Sequence, residues 1–465
     1  MEPTQTMTGN IYGFDDTICA ISTPPGVGGI AVARICGQDA ISITDKIWQG
    51  KRLSDAKSHT AHLGTILAPD GSTLDEGVAT VFRAPRSYTG QDTVEISVHG
   101  SRWIQRELIS ALVAAGARPA EPGEFTRRAF AAGRFDLSEA EAVADLIASS
   151  SKAAHRLAIN QMRGSVSKQL ESLRKQLVEL ASLLELELDF SEEDLEFASR
   201  THLVELAEAV GSEISRLTKT YRTGTAIKEG IPVAIIGHTN AGKSSLLNAL
   251  VGDERAIVSE IHGTTRDIVE DRIELGSYLI RLQATAGLRQ DTDDTIERIG
   301  IERSINAAVK AEIIIYLIDA SSPATQAEVE AELTGANTER IIYAINKTDL
   351  CRNTPALPHN AQPIELSIKN ATGLDTLRNA IIQKIEDFAG GANADLLITN
   401  ARQAAALEAA SNSNRALLAA LRSGIPADLV AQDLRETLHH LATVTGSVTT
   451  PEILATIFSR FCIGK

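Results

Sequence analysis

Cysteine is scarce in this sequence, and long apolar runs are missing from it. The 465 residues include four cysteines, none spaced as Cys-x-x-Cys. Scattered thiols of this kind favour a reduced, cytosolic protein over a disulfide framework or a zinc site. No apolar stretch approaches the length of a membrane span, and the first residues lack the basic and apolar pattern of a secretion signal. We therefore expect a cytoplasmic protein without a membrane span.

Excess positive charge is also lacking. The chain has 45 lysines and arginines against 60 acidic residues, which gives a formal net charge of -15. This balance argues against a general electrostatic attraction between the chain and nucleic acid, so any RNA contact must be local or be supplied largely by a partner. The hydrophobic content of 43% is ample for packed cores, and the length suits about three domains.

A phosphate-binding loop is the most informative motif that is present. Residues 237–244 read Gly-His-Thr-Asn-Ala-Gly-Lys-Ser and match G-x-x-x-x-G-K-[ST]. Residues 231–236 predict a buried strand before the loop, and residues 245–250 predict a helix after it. Lys243 can then reach the β- and γ-phosphates, and Ser244 is the expected magnesium ligand. The alternative is a glycine-rich turn without a ligand.

A second motif indicates which base is bound. Residues 346–349 read Asn-Lys-Thr-Asp and follow the apolar run 340–345. The two carboxylate oxygens of Asp349 match two N–H donors on the edge of guanine, and adenine offers no such pair. A site of that kind rejects the wrong base because polar groups are left unpaired. The motif predicts GTP rather than ATP, with a simple strand-ending turn as the alternative.

The region between these motifs departs from the usual GTPase pattern. Thr265 is placed to coordinate magnesium and to sense the γ-phosphate. Residues 284–287 read Ala-Thr-Ala-Gly where Asp-x-x-Gly is usual. Gly287 can still give its backbone N–H to the γ-phosphate, but Ala284 cannot hold a magnesium-bound water. This departure bears on magnesium affinity and on turnover.

The group that orients the attacking water is also changed. Leu288 stands where Ras-like GTPases have glutamine. Glu297 is the acidic candidate for that role in the switch region, and its alternative role is that of a solvated helix residue. Together the motifs place the following residues at GTP: Asn240, Ala241, Gly242, Lys243, Ser244, Ser245, Thr264, Thr265, Ala284, Gly287, Asn346, Lys347, Asp349, Ser367 and Lys369. The catalytic candidates are Glu297, Lys243 and Thr265.

The secondary-structure pattern of the sequence changes three times along the chain. Short β-rich runs at 17–22, 29–35, 78–82 and 93–98 precede a helical run at 101–115. Long helical patterns begin at Ser138, which forms a possible capping box with Glu141, and return after the nucleotide motifs. The predicted domains are an α/β domain over 1–130, a helical domain over 131–225, a nucleotide domain over 226–391 and a second helical part over 392–465.

Apolar residues at helical spacing predict how these parts assemble. One continuous seam consists of Leu170, Leu173, Leu177, Leu180 and Leu184. Later faces consist of Leu407, Ala410, Leu417 and Leu421, and of Val430, Leu434, Leu438 and Leu441. The simplest packing is one bundle with the nucleotide domain inserted into it, which would let the nucleotide state reach the bundle. The alternative is two independent helical domains.

Segments in the first, middle and last parts of the chain point to one family. They are residues 23–29 (Thr-Pro-Pro-Gly-Val-Gly-Gly), 122–126 (Pro-Gly-Glu-Phe-Thr), 136–142 (Asp-Leu-Ser-Glu-Ala-Glu-Ala), the nucleotide motifs and 461–465 (Phe-Cys-Ile-Gly-Lys). With these segments, nearly the whole chain resembles the MnmE/TrmE family of bacterial and organellar tRNA modification GTPases. The resemblance implies an α/β and α multidomain fold: an N-terminal α/β folate-binding domain, a helical bundle and an inserted Ras-like P-loop GTPase domain.

The resemblance also implies a folate site in the N-terminal domain. The ligand would be a one-carbon donor of the 5-formyltetrahydrofolate type, and the matching positions are Arg34, Glu95, Arg134 and Lys465. Arg134 stands where the family usually has lysine. A basic cluster suits the glutamate tail of a folate, and an acid such as Glu95 suits the N–H edge of a pterin. Cys462 either lies near this site, as the resemblance implies, or is a buried structural thiol.

In the family that the chain resembles, nucleotide domains pair across a homodimer and a potassium ion stimulates hydrolysis. The implied potassium ligands are Asn240, Ser259, Ile261 and Thr264, and the resemblance also implies that Ser259 lies at GTP. The ion would supply positive charge where an arginine finger acts in other GTPases. Glu297 matches the family's acidic residue that orients the attacking water. Asn240 has a second possible role, which is to rigidify the loop.

The expected function is a potassium-stimulated, magnesium-dependent GTPase that modifies tRNA. With a flavoprotein of the MnmG/GidA type, in a heterotetramer, it would add a carboxymethylaminomethyl group at C5 of the wobble uridine. Two alternatives remain at this stage. A nucleotide-gated scaffold with impaired hydrolysis is favoured by Ala284. A GTPase of ribosome assembly is the other, and the residues of the predicted folate domain count against it.

Overall fold

The structure is a computed structural model that describes residues 14–189, 200–253, 270–284, 307–322, 326–350, 357, 361–390, 396–423, 425–459 and 461–464. The chain divides into two compact units, one formed by Met1–Ala144 with His439–Lys465 and one formed by Asp145–Leu438. The predicted domain boundaries at 130, 225 and 391 do not coincide with this division and remain predictions. None of the helices in the described ranges is long and apolar enough to cross a membrane.

Helices and strands alternate in the first third of the chain, and helices dominate its middle and its last part. The strands of the first unit are β1 Ile18–Ile21, β2 Gly28–Cys36, β3 Trp48–Gly50, β4 Thr60–Leu67, β5 Thr73–Phe82, β6 Thr93–Gly100 and β7 Arg118–Pro119. The helices include α1 Ala40–Lys46, α2 Arg102–Ala114, α3 Glu124–Ala131, α4 Leu137–Ala148, α5 Lys152–Met162, α6 Ser165–Asp189, α7 Arg200–Glu229, α8 Lys243–Asp253, α9 Gln326–Glu332, α10 Leu374–Ala389, α11 Ala401–Arg422, α12 Ala427–Thr445 and α13 Pro451–Phe458.

The first unit is built on a seven-stranded sheet with the order β3-β4-β5-β6-β2-β1-β7. Strand β7 is parallel to β1, and the other neighbours pair antiparallel. One face of the sheet packs on a core that contains Ile35 of β2 and Leu108 of α2. Successive residues of a strand point to opposite faces, so Arg34 lies on the other face, where the register places it beside Glu95 of β6. This face carries the N-terminal site described below.

The predicted capping box of α4 is wrong by two residues. It was expected between Ser138 and Glu141, but the Asp136 N–H donates to Glu139 Oε2 (2.9 Å) and the Glu139 N–H donates to Asp136 Oδ1 (2.8 Å). The sequence contains both spacings, and Asp is as good an N-cap as Ser. The Ser138 hydroxyl instead donates to a backbone carbonyl of α12. The helix therefore begins at Leu137.

The second unit contains a six-stranded sheet with the order β13-β12-β11-β8-β10-β9. Its strands are β8 Ile231–Ile236, β9 Glu270–Leu275, β10 Tyr278–Ala284, β11 Ile313–Asp319, β12 Ile341–Asn346 and β13 Ile364–Glu365. Only β9 pairs antiparallel among them. The central strand β11 is buried along its whole length, as expected for a parallel strand covered on both faces. The carboxyl ends of β8, β10 and β12 lead into the nucleotide motifs.

A helix that precedes this sheet in the sequence packs against a helix that follows it. Helix α7 precedes the sheet and contacts α11, which follows it. The Asn414 side-chain amide donates to the Ala207 carbonyl (3.0 Å), and a Cβ on Gly211 would lie 2.4 Å from Asn414 Nδ2. All five leucines of the predicted seam on α6 are also buried. These contacts confirm one helical assembly interrupted by the nucleotide domain, rather than two independent helical domains.

Candidate functional site

The phosphate loop joins β8 to α8, in the predicted order of strand, loop and helix. Three of its residues have positive φ: Gly237 (143°), Asn240 (64°) and Gly242 (102°). A Cβ on Gly237 would lie 2.1 Å from the Leu317 carbonyl oxygen, and a Cβ on Gly242 would lie 2.5 Å from Asn346 Nδ2. Neighbouring strands therefore require both glycines. Contacts with the neighbouring strands β11 and β12 therefore restrict the shape of the phosphate loop.

Lys243 is held by the loop itself. Its buried ammonium donates to the carbonyl oxygens of Gly237 (2.5 Å) and His238 (2.8 Å). Burial lowers the pKa of Lys243, and the negative charge of Glu332 offsets part of that effect. The two carbonyls keep the ammonium inside the turn, at the place from which a P-loop lysine donates to phosphate oxygens.

Asn346 connects the phosphate loop to the guanine-side loop. Its side-chain amide donates to the Ala241 carbonyl (2.8 Å), and its Oδ1 accepts from the Ile368 N–H (3.2 Å). The side chain is 3% exposed. Asn346 thus uses both ends of its amide inside the protein, so its contribution is to align two loops that lie more than a hundred residues apart in sequence.

Asp349 is the exposed member of the base motif. Its Oδ1 accepts from the Ser367 hydroxyl (2.7 Å), which fixes the carboxylate while its other oxygen stays free of that bond. Lys347 adopts a left-handed conformation with φ of 64° and donates to Asp319 (2.5 Å). Lys369 is exposed on the loop after Ser367. Asp349 and Ser367 are thus in direct contact, and the role of these residues in reading a base remains a prediction.

Asp319 serves this loop structurally. Burial opposes its ionisation, but hydrogen bonds from Lys347 and Ser321 outweigh burial and hold its pKa below the ordinary value. Its carboxylate is therefore committed to the turn after β11. Ala284 is the last residue of β10, where it pairs with Ile235 of β8. Asp319 does not replace the carboxylate that Ala284 lacks.

Several predicted site residues lie outside the described residues. They are Ser259, Ile261, Thr264, Thr265, Gly287, Glu297 and Lys465. In the described part of the chain, Ser244 and Ser245 are exposed at the first turn of α8, and Asn240 is exposed in the loop before it. Three candidate ligands of phosphate, magnesium or potassium are thus exposed to solvent, one in the phosphate loop and two at the start of α8.

The N-terminal site is centred on a paired arginine. Arg34 donates through Nε (2.9 Å) and Nη2 (2.7 Å) to Glu95 Oε1. Its guanidinium lies over the rings of Tyr88 (5.3 Å to the centroid) and Phe125 (5.5 Å). The Arg34 side chain is 15% exposed and that of Glu95 is 30% exposed. A charged pair backed by two rings therefore faces partly toward solvent.

Two other predicted residues lie in the same unit. Arg134 is exposed just after α3, and its aliphatic stem is the neighbour that a Cβ on Gly90 would approach at 3.8 Å. Cys462 is exposed, so the alternative of a buried structural thiol is wrong. Its carbonyl oxygen accepts from the Gly123 N–H (3.3 Å), which brings the Phe-Cys-Ile-Gly segment to the start of α3.

The Pro-Gly-Glu-Phe-Thr segment supplies a buried ion pair. Glu124 is fully buried, and its carboxylate accepts from Arg118 Nη2 (2.7 Å) and Arg128 Nη2 (2.9 Å). Asp16 completes the charge balance by accepting from both arginines. Burial opposes ionisation of Glu124, but these arginines hold its pKa below the ordinary value. The motif therefore stabilises the first unit, a role that sequence reasoning did not assign to it.

Sequence reasoning also missed the aromatic rings beside Arg34. Phe125 lies in a segment that carried the family resemblance, so its position, though not its contact, was indicated. Tyr88 had no comparable signal. Its proximity to Arg34 depends on long-range pairing in the sheet, which no local pattern encodes.

Comparison with known proteins decides the family. Residues 137–462 match the family described as MnmE helical domain, and residues 17–134 match that described as GTP-binding protein TrmE N-terminus. The tRNA modification GTPase MnmE of Parabacteroides distasonis is 46% identical over 465 residues, covering 97% of this chain and 100% of that protein. The chain belongs to the MnmE family. The MnmE protein of Porphyromonas gingivalis is 44% identical over 474 residues, covering 98% of this chain and 99% of that protein.

Two solved structures are distant matches. The G domain of the T. maritima FeoB iron transporter is 22% identical, covers 34% of this chain and 98% of its own, and has a TM-score of 0.26. A variant of Aquifex aeolicus Era bound to GDP and aluminium fluoride is 25% identical, covers 39% of this chain and 66% of its own, and has a TM-score of 0.27. Scores of this size carry no argument. Membership in the MnmE family confirms the predicted class, a GTP hydrolase with N-terminal, helical and P-loop domains.

Proposed function

We propose that this chain couples GTP hydrolysis to modification of the wobble uridine of certain tRNAs. The product would carry a carboxymethylaminomethyl group at C5, made with a flavoprotein of the MnmG/GidA type. One observation carries the proposal: a member of the MnmE family holds a pre-built guanine-nucleotide loop in one unit and the Arg34–Glu95 site in the other. The first site suits the energy source, and the second suits the one-carbon donor.

Each described residue of the nucleotide site has a role in this proposal. Lys243 donates to the β- and γ-phosphates, and its two loop carbonyls position it for that contact. Asp349 accepts from the N–H edge of guanine, and Ser367 holds its carboxylate in place. Asn346 keeps the two loops in register. Thr265 and Gly287 would complete the γ-phosphate contacts.

Magnesium would be held by hydroxyl and phosphate oxygens. The exposed Ser244 at the start of α8 fits this role, with Thr265 as its partner. Ala284 removes the carboxylate that usually holds a magnesium-bound water, and Asp319 is committed to Lys347. We infer weaker magnesium binding than in GTPases that retain the aspartate.

Potassium would bind beside the phosphates through neutral oxygens. Asn240 fits this role because it is exposed and its left-handed backbone belongs to the loop itself. Ser259, Ile261 and Thr264 would supply the remaining ligands. A bound potassium ion supplies positive charge where negative charge develops during phosphoryl transfer. Glu297 would orient the attacking water when two nucleotide domains pair in a homodimer.

A folate fits the described residues of the N-terminal site. Glu95 offers acceptor oxygens for pterin N–H groups, and Arg34, which pairs with it, holds that carboxylate in place. The exposed Arg134 would offer a cation for a carboxylate of the glutamate tail. The rings of Tyr88 and Phe125 supply an apolar backing. Arg134 is exposed and follows α3 in the sequence, and Lys465 would add a further positive charge. A bound 5-formyltetrahydrofolate-type cofactor supplies the one-carbon unit.

The acidic net charge leaves tRNA binding to a partner. With a formal charge of -15, this chain lacks a general attraction for RNA phosphates. A flavoprotein partner in a cytoplasmic heterotetramer would therefore contribute most of the tRNA contacts. The α7 and α11 helices, which flank the nucleotide domain in sequence and pack together, would transmit its nucleotide state within the second unit.

The first test is GTP hydrolysis by the purified chain in potassium and in sodium. We expect turnover to be faster in potassium, and Ala284→Asp to increase it further because it restores the magnesium-shell carboxylate. Ala284→Asn is the matched control, since it is similar in size but uncharged, and it should not increase turnover. Equal rates in both salts would contradict the potassium site. Hydrolysis that appears only in Ala284→Asp would favour a nucleotide-gated scaffold, the function that the alanine at this position supports.

The uridine chemistry needs its own test. Bacterial cells that lack their own MnmE protein would be given this chain, and their tRNA nucleosides would be measured by mass spectrometry. We expect the modified wobble uridine to return. Unmodified uridine in cells that contain the folded chain and its flavoprotein partner would overturn the proposed reaction, while leaving the GTPase assignment intact.

A further inference from the structure

The segment of residues 461–464, here called the tail segment, lies against Arg34. The Gly464 carbonyl oxygen accepts from the Ser22 hydroxyl (3.1 Å) and from Arg34 Nη1 (3.4 Å). Two residues earlier, the Cys462 carbonyl accepts from the Gly123 N–H (3.3 Å). The tail segment is thus attached through its main chain at two points, and one of those points is the arginine of the candidate folate site.

Glycine is required at both attachment points. Gly464 has a φ of 91°, and a Cβ there would lie 2.3 Å from the Ile21 carbonyl oxygen. Gly123 has a φ of 67°, and a Cβ there would lie 2.5 Å from the Phe458 carbonyl oxygen. Both obstacles are backbone atoms, which cannot rotate away as a flexible side chain would. A larger residue must therefore move the tail segment.

The tail carbonyl completes the set of contacts that orients Arg34. Glu95 takes the Nε and Nη2 edge of the guanidinium, and Gly464 takes Nη1. Tyr88 and Phe125 lie near its faces. Glu95 uses a single oxygen, Oε1, for both of its bonds, so the carboxylate alone leaves the guanidinium plane less restrained than a two-oxygen pair does. The tail carbonyl supplies the missing restraint.

We propose that Gly464 and Ser22 are positioning residues for the N-terminal site. Ser22 fixes the Gly464 carbonyl, and that carbonyl holds the Arg34 guanidinium in the orientation that keeps the Glu95 carboxylate in place for the ligand. The contribution comes from the main chain of the tail segment, so the absence of a side chain at 464 is the required property. The identity of the ligand rests on the proposed folate function, whereas attachment of the tail segment does not.

The experiment compares Gly464→Ala and Ser22→Ala in the full chain with two matched controls. Gly71→Ala introduces the same kind of strain, at φ of 82°, but its Cβ meets no atom within 4 Å. Ser22→Thr keeps the hydroxyl donor. Calorimetry would measure binding of 5-formyltetrahydrofolate, and hydrogen exchange would follow a peptide that contains Gly123, whose N–H is bonded to the tail segment.

We expect Gly464→Ala to weaken folate binding roughly tenfold and Ser22→Ala roughly threefold, the scale of one lost hydrogen bond to a charged group. Exchange at Gly123 should become faster in both variants. Gly71→Ala should match the wild type in both measurements, and Ser22→Thr should retain most of the affinity. This pattern separates positioning from general destabilisation, because a merely structural defect would not be rescued by threonine.

Unchanged affinity in Gly464→Ala and Ser22→Ala would overturn the proposal, whether or not exchange at Gly123 changes. Equal loss in Gly71→Ala would also overturn it, since backbone strain alone would then explain the effect. A wild-type chain that binds no folate would contradict the proposed function of this unit. In that case slower or unchanged exchange at Gly123 in Gly464→Ala would overturn the tail attachment as well, and faster exchange would support it.

Discussion

The ion pairs of the first unit and the phosphate loop of the second unit hold charged side chains in different ways. In the first unit, charges are paired with each other: Glu124 with Arg118 and Arg128, and Arg34 with Glu95. In the nucleotide site of the second unit, the central cation is paired with backbone oxygens, because Lys243 is held by two loop carbonyls. The first arrangement balances charge inside the protein. The second leaves the positive charge of the lysine available to a phosphate.

The two arrangements respond differently to substitution. If the buried Glu124 lost its charge, Arg118 and Arg128 would share the single charge of Asp16. The charge of Lys243 is held by neutral carbonyls and is offset by Glu332 only in part, so burial disfavours it and a phosphate would stabilise it. Substitutions in the first region should therefore affect stability, and substitutions in the second should affect activity.

The largest expected effect is on the stability of the first unit. Glu124→Gln should lower its free energy of unfolding by about 3–5 kcal/mol, because the buried Arg128 and its neighbour Arg118 then share the single carboxylate of Asp16. Both tryptophans of the chain, Trp48 and Trp103, belong to this unit, so urea unfolding followed by tryptophan fluorescence reports on it.

The matched control is Glu121→Gln. Glu121 has a 62% exposed side chain and pairs with Arg127 at 3.1 Å, so its loss should cost less than about 1 kcal/mol. Similar losses in the free energy of unfolding of the two variants would show that burial does not distinguish these ion pairs. The ion pairs of the first unit would then have no special role in stability.

The two sites also differ in how far the sequence predicts them. The phosphate loop is contiguous, and its strand and helix follow from local pattern, so Lys243 and Ser244 can be assigned to the start of α8 without any long-range information. Asp349 was predicted for the same reason. The role of Asn346 as a link between two loops was not, because both of its partners are set by the order of the parallel strands.

The N-terminal site depends on pairing between distant segments. Arg34 and Glu95 are 61 residues apart and become neighbours through the register of β2 and β6. The contact between Arg34 and Gly464 spans 430 residues. No periodicity encodes such contacts, so family resemblance alone pointed to these residues. The displaced capping box of α4 shows a smaller limit, since two overlapping motifs competed and packing chose between them.

The next largest effect is expected on catalysis in the second unit. Lys243→Met should slow GTP hydrolysis by about 10²–10³-fold, the usual loss for one preorganised donor at a developing negative charge. Stability should stay level or rise slightly, because burial disfavours the ammonium that the substitution removes. Single-turnover hydrolysis would measure the first effect, and hydrogen exchange of β8 would measure the second.

Lys310→Met is the control for this prediction, since Lys310 is exposed and lies outside the nucleotide motifs. It should change neither quantity. A clear loss of β8 protection in Lys243→Met would mean that the lysine is a structural element of the loop. The proposed difference between a stability-bearing first unit and an activity-bearing second site would then fail.

The smallest effect is expected at a carboxylate that is paired but not fully buried, and it tests whether such a pair stabilises the first unit. Asp75 accepts from the His99 backbone N–H (2.9 Å), the His99 ring (2.9 Å) and the Glu76 N–H (2.9 Å). Burial opposes its ionisation, but these bonds outweigh burial and hold its pKa below the ordinary value of 3.8. Asp75→Asn should lower the free energy of unfolding by about 1 kcal/mol near neutral pH, the usual scale of such hydrogen bonds.

The sign of the pH dependence follows from that lowered pKa. The unfolded chain binds a proton at Asp75 more readily than the folded chain does, so the stabilisation is complete above pH 3.8 and is lost as the pH falls through the folded pKa. Tryptophan-detected unfolding should therefore show the gap between wild type and Asp75→Asn narrowing below pH 3.8, while the exposed control Asp55→Asn follows the wild type throughout. A gap that persists or widens in acid would assign the effect to lost packing. In that case a half-exposed pair would contribute no charge-dependent stability, and full burial, as at Glu124, would be the condition for charge pairs to stabilise this unit.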